Sequence, residues 1–234
     1  SLYHENIEIM PFTDLKSVSG DVGNFNVELR KQARYVDTEK CTGSGEQRDC
    51  IEVCPVEVDE EFNHNLTKRK AIYQVVPHNV PQMLLIDRDA CADCKDQPCV
   101  NACRNGAINL DAKECLEVRE IDAIIMATGT KLYDTAEFED AKSYAVSPDV
   151  VTSLAFERII SPSGTFNGMI KRPSDGKPAK RIAWIQCMGS RNRRQGREYC
   201  SSICCMFALK EAILAKEKGG PDIETTIFYM DMRT

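Results

Sequence analysis

Twelve cysteines in 234 residues, nearly all gathered in short runs, constrain this chain more than any other feature. Such a count means either a disulfide framework or metal. Disulfide scaffolds belong to small secreted domains that cannot build a sufficient core. This chain is long enough to bury one, and nothing resembling a secretory signal opens it. Its cysteines also cluster, as ligands of one centre must. Thiolate-held metal is therefore the expectation. The three histidines, His4, His64 and His78, stand away from every cysteine run, so mixed Cys/His zinc sites are not expected.

Charge and hydropathy exclude other classes. A net charge of −6 and an isoelectric point near 5.3 argue against nucleic acid as a partner. No apolar run approaches the ~18–20 residues of a membrane-spanning helix. A cytoplasmic protein of one large or two modest domains is expected.

The first two runs are Cys41-x8-Cys50-x3-Cys54-Pro55 and Cys91-x2-Cys94-x4-Cys99-x3-Cys103. In two-cluster ferredoxins the last cysteine of each run ligates the other run's cluster. On that logic Cys91, Cys94 and Cys99 share a 4Fe–4S centre with Cys54, a complete set. Cys41, Cys50 and Cys103 lack a fourth thiolate, because Ser44 stands where a second cysteine is usual. Three outcomes stay open there: a cluster with a non-cysteine or distant fourth ligand, a three-iron cluster, or a lost or labile one. A pair of zinc knuckles is the alternative for the whole insert. Between the runs, Leu66 to Tyr73 is basic, either simply exposed or offsetting cluster charge. Pro77 and Pro81 mark irregular backbone before a strand at Met83 to Ile86.

Around this insert the patterns change. Asn6 to Met10 reads as a strand. Asp14 to Arg34 alternates in period two with a Gly20–Gly23 turn, which predicts a β-hairpin with Phe25, Val27 and Leu29 on one face. Cys115 to Glu120 alternates as a strand with Leu116 and Val118 inward, leaving Cys115 an outward bystander. Ile121 to Gly129 reads as a buried strand ending in Ala127-Thr128-Gly129. Asp149 to Arg158 enters a helix capped by Thr152 or Ser153. Arg181 to Ile185 reads as a buried strand, and a helix follows Ser201. In a dinucleotide-binding fold that strand–loop–helix junction carries Gly-x-Gly-x-x-Gly. Here it reads Cys187-Met-Gly-Ser-Arg191, so NAD(P)H is not expected at this strand end. Cys187, Cys200, Cys204 and Cys205 make a second full set of four thiols.

The four-cysteine stretch, together with Asn65 to Tyr73, Ile124 to Gly129 and Ser153 to Arg158, resembles the A subunit of heterodisulfide reductase, an iron–sulfur flavoprotein family of methanogens and other anaerobes. The resemblance runs over nearly the whole chain. It implies that Cys187, Cys200, Cys204 and Cys205 hold an unusual 4Fe–4S cluster beside FAD. Ala127, Thr128 and Gly129 would approach the flavin, Lys210 would contact the reactive ring nitrogen, and Glu157 would lie nearby. On helical periodicity Lys210 shares an inward stripe with Ile203, Phe207 and Leu214. A lysine that snorkels to water from such a stripe is the plain alternative. Arg191, Arg193, Arg194 and Arg197 either form a solvated basic loop or offset the charge of a cluster or of flavin phosphates.

The expected fold class is α/β: part of a thioredoxin-reductase-like, two-dinucleotide-binding flavoprotein with an inserted α+β ferredoxin domain. Residues 1–36 and 112–150 would be parts of the FAD-binding domain, 37–111 the insert, and 151–234 a degenerate pyridine-nucleotide-like domain carrying a cluster. The glycine-rich FAD turn is missing, so a fragment of a longer polypeptide is expected, inactive by itself, with FAD bound in the full-length protein. The family implies electron transfer, by bifurcation, between FAD and 4Fe–4S clusters. Its partners would be other heterodisulfide-reductase-like subunits and a low-potential electron donor or acceptor protein, in a homodimeric parent complex. The rival function is a non-catalytic ferredoxin-type electron conduit.

Overall fold

A computed structural model describes residues 4–42, 49–76, 83–134 and 146–233. Ser44, Pro77 and Pro81 lie outside the described residues. The chain forms two compact units, one of Ser1–Val58 and Arg69–Thr128, the other of Asp59–Lys68 and Gly129–Thr234.

In the first unit Thr13–Asp21 (β1) and Asn24–Lys31 (β2) form an antiparallel hairpin, and Cys115–Ile121 (β7) pairs with β2 on its other side. The turn closes through Val22 and Gly23, where a φ of 87° suits glycine. Phe25, Val27 and Leu29 share one face as the alternation predicts. The register corrects the reading of β7, since Leu29, Val27 and Phe25 oppose Glu117, Arg119 and Ile121. Leu116 and Val118 therefore project from the opposite face and are exposed. Two other expected strands do not form. Residues 6–10 are a turn and irregular chain, and after Ile121 the run to Gly129 is irregular and belongs to no strand, with Ile125 92% exposed. No described strand offers either segment a hydrogen-bonded ladder, and without one an apolar run has nothing to bury against.

The insert is built from two similar halves. In the first, the bridge Val36↔Ile108 leads to Asp37, and a short helix Asp49–Glu52 (α1) precedes Cys54. In the second, Ile72–Tyr73 (β5) pairs with Leu85–Ile86 (β6), which leads to Asp87, and Pro98–Ala102 (α2) precedes Cys103. Val36, Ala71, Ile72, Leu84, Ile86 and Ala107 form a shared core into which Cys50, Cys54 and Cys91 are also buried. Glu57–Asp59 (β3) and Lys68–Lys70 (β4) pair as a two-stranded ribbon.

The second unit is a β–α–β element with a helix beside it. Arg181–Ile185 (β8) pairs in parallel with Glu224–Phe228 (β9), connected by the helix Cys204–Gly219 (α4). The helix Ser153–Ile160 (α3) starts at Thr152, whose hydroxyl accepts the Ala155 N–H at 3.2 Å. Its Phe156, Ile159 and Ile160 pack with Trp184 of β8 and with Ala208 and Ala215 of α4. Phe156 meets Trp184 edge to face at 5.6 Å. β8 is half-buried rather than buried: Ile182 and Trp184 face the core, whereas Ile185 is 68% exposed.

Candidate metal centres

Each half of the insert opens its cysteine run with the same device. The Asp37 carboxylate accepts the N–H groups of Glu39 and Lys40, and the Cys41 N–H donates to the Asp37 carbonyl at 2.9 Å. In the other half the Asp87 carboxylate accepts the Ala90 N–H at 3.0 Å, and the Cys91 N–H donates to the Asp87 carbonyl at 3.3 Å. These side-chain turns fix the chain where the first thiol of each run leaves it. The signal was present in the sequence as a repeated Asp-x3-Cys, which sequence reasoning missed.

Cys54, Cys91, Cys94 and Cys99 line one cavity, together with Ile72, Ile86, Pro98 and Leu110. Its volume is about 20 Å³, and it opens in part to solvent. Burial first, and the neighbouring Cys54, Cys91 and Cys94 next, push the Cys99 thiol up. The same physics joins the other three. Burial, then Cys103 and Cys41, push the Cys50 thiol up to about 11, while the Cys103 sulfur accepts the Ala107 N–H at 3.2 Å. The structure thus groups Cys54 with the second run and Cys103 with the first.

Thiols held this far from ionisation become ligands only when a cation takes the proton's place. Among the described residues no group of three or more His, Cys, Asp or Glu side chains is set to hold one metal ion. The donor chemistry, four sulfurs around an apolar-walled cavity, fits an iron–sulfur cubane, which spreads its thiolates over four irons. The basic segment between the runs is bound up otherwise. Arg69 pairs with Asp87 at 2.9 Å and lies over the Tyr73 ring, Lys70 pairs with Glu57, and Lys68 with Asp59.

In the second unit the chain leaves β8 into a curled loop. Cys187, Gly189 and Arg191 all take positive φ, of 62°, 74° and 55°. At Gly189 a side chain is doubly excluded, because a Cβ would fall 2.2 Å from the Tyr133 ring. A small hairpin follows: Asn192 and Arg197 exchange backbone hydrogen bonds, and the Arg191 N–H donates to the Tyr199 carbonyl. It delivers Cys200 towards the start of α4. Arg197 stacks on Tyr133 at 4.8 Å, Arg191 pairs with Asp231, and Arg193 lies 3.9 Å from Glu198.

An open concavity beside this loop is lined by Gln186 to Arg194 and Met230. Of the four cysteines only Cys187 lines it. Cys204 and Cys205 begin α4, Cys205 buried and its sulfur 3.5 Å from the Arg233 N–H. Burial works to raise the Cys204 thiol, but the Cys187 backbone, the Ser201 hydroxyl and Cys205 outweigh it and hold the thiol below its ordinary range. The Cys200 sulfur accepts the Ser202 N–H at 3.4 Å. The Cys187 backbone and Cys205 both meet the Cys204 thiol, and of the four thiols Cys187 alone lines the concavity described. Cys115 lies exposed on its strand.

The helix orientation corrects the expected stripe. Ile203 is outside the helix, in a non-helical conformation, and α4 buries Cys205, Ala208, Glu211 and Ala215. The small alanines let α4 approach its neighbours closely, so Ile203 and Leu214 are 39% and 38% exposed and Lys210 faces solvent. Glu157 on α3 is exposed as well, as are Ala127, Thr128 and Gly129.

Sequence reasoning passed over Glu211. It is 3% exposed, receives the Trp184 indole N–H at 2.7 Å, and leaves its other oxygen unpartnered among the described residues. Burial is the main cause of a pKa raised to about 7; Trp184 opposes it and Glu157 adds to it. The sequence signal was a glutamate set between alanines on one helical stripe.

No family model matches the chain. Among curated proteins it is 42% identical over 231 residues to the A subunit of the H2:CoB-CoM heterodisulfide, ferredoxin reductase of Methanothermobacter marburgensis. It is 43% identical to the iron-sulfur A subunit of the CoB–CoM heterodisulfide reductase of Methanocaldococcus jannaschii. It is 38% identical to the A subunit of the ferredoxin/F420H2-dependent CoB-CoM heterodisulfide reductase of Methanosarcina acetivorans. These matches cover 98%, 99% and 98% of this chain, and 34%, 34% and 28% of the relatives. The chain therefore spans about a third of the length of the curated relatives it matches.

Proposed function

We propose, from the premise that this chain is a homologue of a segment of heterodisulfide reductase A subunits, that it is an electron-transfer segment of an iron–sulfur flavoprotein subunit. The observation that carries the reading is the gathering of Cys54, Cys91, Cys94 and Cys99 around one cavity, with Cys41, Cys50 and Cys103 grouped beside it. A 4Fe–4S cluster held by the first set, and an irregular centre on the second, would supply one-electron acceptance and donation at nearly constant geometry. Cys187, Cys200, Cys204 and Cys205 would hold a further cluster. This second unit is the degenerate nucleotide-binding domain of a thioredoxin-reductase-like fold on this reading, and FAD belongs to the longer protein.

The chain's own residues then have definite tasks. The apolar wall of Ile72, Ile86 and Leu110 lines one side of the first set and would lower the local dielectric, sharpening the charges beside it. The Asp37 and Asp87 turns fix where Cys41 and Cys91 leave the backbone. Residues 127–129 and Lys210 would face the flavin of the assembled subunit; their exposure leaves them accessible to it. A cation at Lys210 would favour anionic reduced flavin. Physiological partners would be other heterodisulfide-reductase-like subunits and a low-potential redox protein, and the heterodisulfide chemistry itself would lie elsewhere in the complex. Iron and sulfide analysis of anaerobically prepared protein, with Mössbauer spectra, tests the reading. Two cubanes plus a third, irregular centre support it. Bound zinc without iron would refute it.

A further inference from the structure

The two halves of the insert share their turns, helices and core but not the residue after the turn-forming aspartate. Thr38 follows Asp37, whereas Arg88 follows Asp87. Arg88 Nη1 donates to the Cys91 carbonyl at 3.2 Å and reaches the Cys91 sulfur at 3.7 Å. The side chain is half-buried and lines the cavity with Cys54, Cys91, Cys94 and Cys99. Its neighbours in the insert are neutralised, Arg69 by Asp87 and Arg104 by Asp49; Arg88 has no carboxylate partner among the described residues. A guanidinium withdrawn from water without a counter-ion costs free energy unless negative charge develops beside it. Here the adjacent group that becomes negative on binding iron is the Cys91 sulfur.

We propose that Arg88 sets the electron affinity of the centre held by Cys54, Cys91, Cys94 and Cys99, making it easier to reduce than the centre on Cys41, Cys50 and Cys103. The inference rests on the iron–sulfur reading of these cysteines. A charge-assisted hydrogen bond to a ligand sulfur stabilises added negative charge more than it stabilises the oxidised state. Reduction adds one electron, supplied in the titration by dithionite, and no bond forms or breaks. Thr38 puts no cation at the corresponding place after the Asp37 turn, so the charge beside the first thiol differs between the two runs although their opening turns are alike. Electrons entering the insert settle on the Arg88 side.

The test is an EPR-monitored redox titration of the full chain, purified anaerobically with its iron, in wild type, Arg88→Gln and Arg88→Lys. Arg88→Gln lowers the midpoint of the four-cysteine centre by at least a tenfold change in its one-electron equilibrium, about 59 mV. Arg88→Lys, which keeps the charge, moves it less, and the second signal of the insert stays where it was. An intact cluster with an unchanged midpoint in Arg88→Gln overturns the proposal, as do equal shifts in both variants. If Arg88→Gln fails to retain iron, wild-type protein labelled with guanidino-15N arginine decides. Pulsed EPR of its reduced centre shows a 15N coupling if Arg88 meets the ligand sulfur, and its absence overturns the proposal. A wild type without iron would instead remove the reading on which the proposal stands.

Discussion

The insert of the first unit and the loop of the second handle their cysteines in opposite ways. In the insert Cys50, Cys54 and Cys91 are core residues, packed with Ile72, Leu84 and Ile86. Burial pushes the Cys50 and Cys99 thiols up. In the second unit Cys187 sits on a curled loop beside an open concavity, Cys204 starts a helix, and the Cys204 thiol is held below its ordinary range. Among the described residues the core beneath is made of Phe156, Ile159, Trp184, alanines and other apolar side chains and includes no cysteine. On the proposed reading, a centre in the insert would be part of what holds that fold together. A centre in the second unit would be an attachment to a fold with its own core.

Removing iron breaks or sharpens this contrast most strongly. Anaerobic chelation is expected to unfold the insert, because ligand binding free energy there is folding free energy, while the second unit keeps its structure. Hydrogen exchange checks it: amides of Ile72 and Leu85 lose protection and those of Ala208 and Ala215 keep it. Equal loss in both would erase the contrast. Next in size are the two largest fully buried side chains, Ile72 and Ile159. Ile72→Ala and Ile159→Ala are each expected to cost about 2–5 kcal/mol. Only Ile72→Ala should lower iron content, read by iron assay beside thermal unfolding.

Within the insert, the two turn aspartates differ in what they also hold. Asp87→Ala removes the carboxylate that meets the Arg69 side chain, 7% exposed, at 2.9 Å and is expected to cost about 1–3 kcal/mol. Asp37 pairs with an exposed Lys40, so Asp37→Ala costs much less, as denaturant titration of both variants will show.

Acid and base separate the units as well. Burial raises the Asp87 pKa but the Ala90 N–H and Arg69 outweigh it, so the carboxyl sits below 3.8. A depressed acid contributes stability above its unfolded pKa, lost as pH falls through the folded one, so the insert weakens below about pH 4. Glu211 has the opposite sign. Its pKa is raised from 4.5 to about 7 by burial foremost, so its contribution is full below about 4.5 and is lost as pH rises through 7. Trp184, the one tryptophan of the chain and the indole donor to Glu211, reports this directly. Its fluorescence should titrate near 7 in wild type and stop doing so in Glu211→Gln, which should also flatten the stability of the second unit between pH 5 and 8.

The sequence made the local chemistry legible. Alternation with a Gly23 turn marked the hairpin, Thr152 marked a helix start, and cysteine spacing suggested which thiols belong together. What it hid were partners distant along the chain. Residues 121–129 carry the apolar run of a buried strand, yet beyond Ile121, the last residue of β7, no described strand pairs with them. Periodicity offered Lys210 an inward stripe with Ile203, Phe207 and Leu214, whereas the helix turns the stripe of Cys205, Ala208, Glu211 and Ala215 to the core. Leu116 and Val118 were assigned to the wrong face because alternation gives two faces and only the register against β2 decides between them. Arg88 beside Cys91 required the fold of the turn.

The central claim is that the two insert runs exchange their last cysteines, and a pair of single substitutions tests it most directly. In anaerobically purified protein, Cys54→Ser is expected to destroy the EPR signal of the four-cysteine centre of the second run and lower the iron count accordingly. Cys103→Ser should spare that signal and abolish the irregular centre on Cys41 and Cys50. If Cys54→Ser leaves the four-cysteine signal intact while Cys103→Ser removes it, each run holds its own centre and the account is wrong.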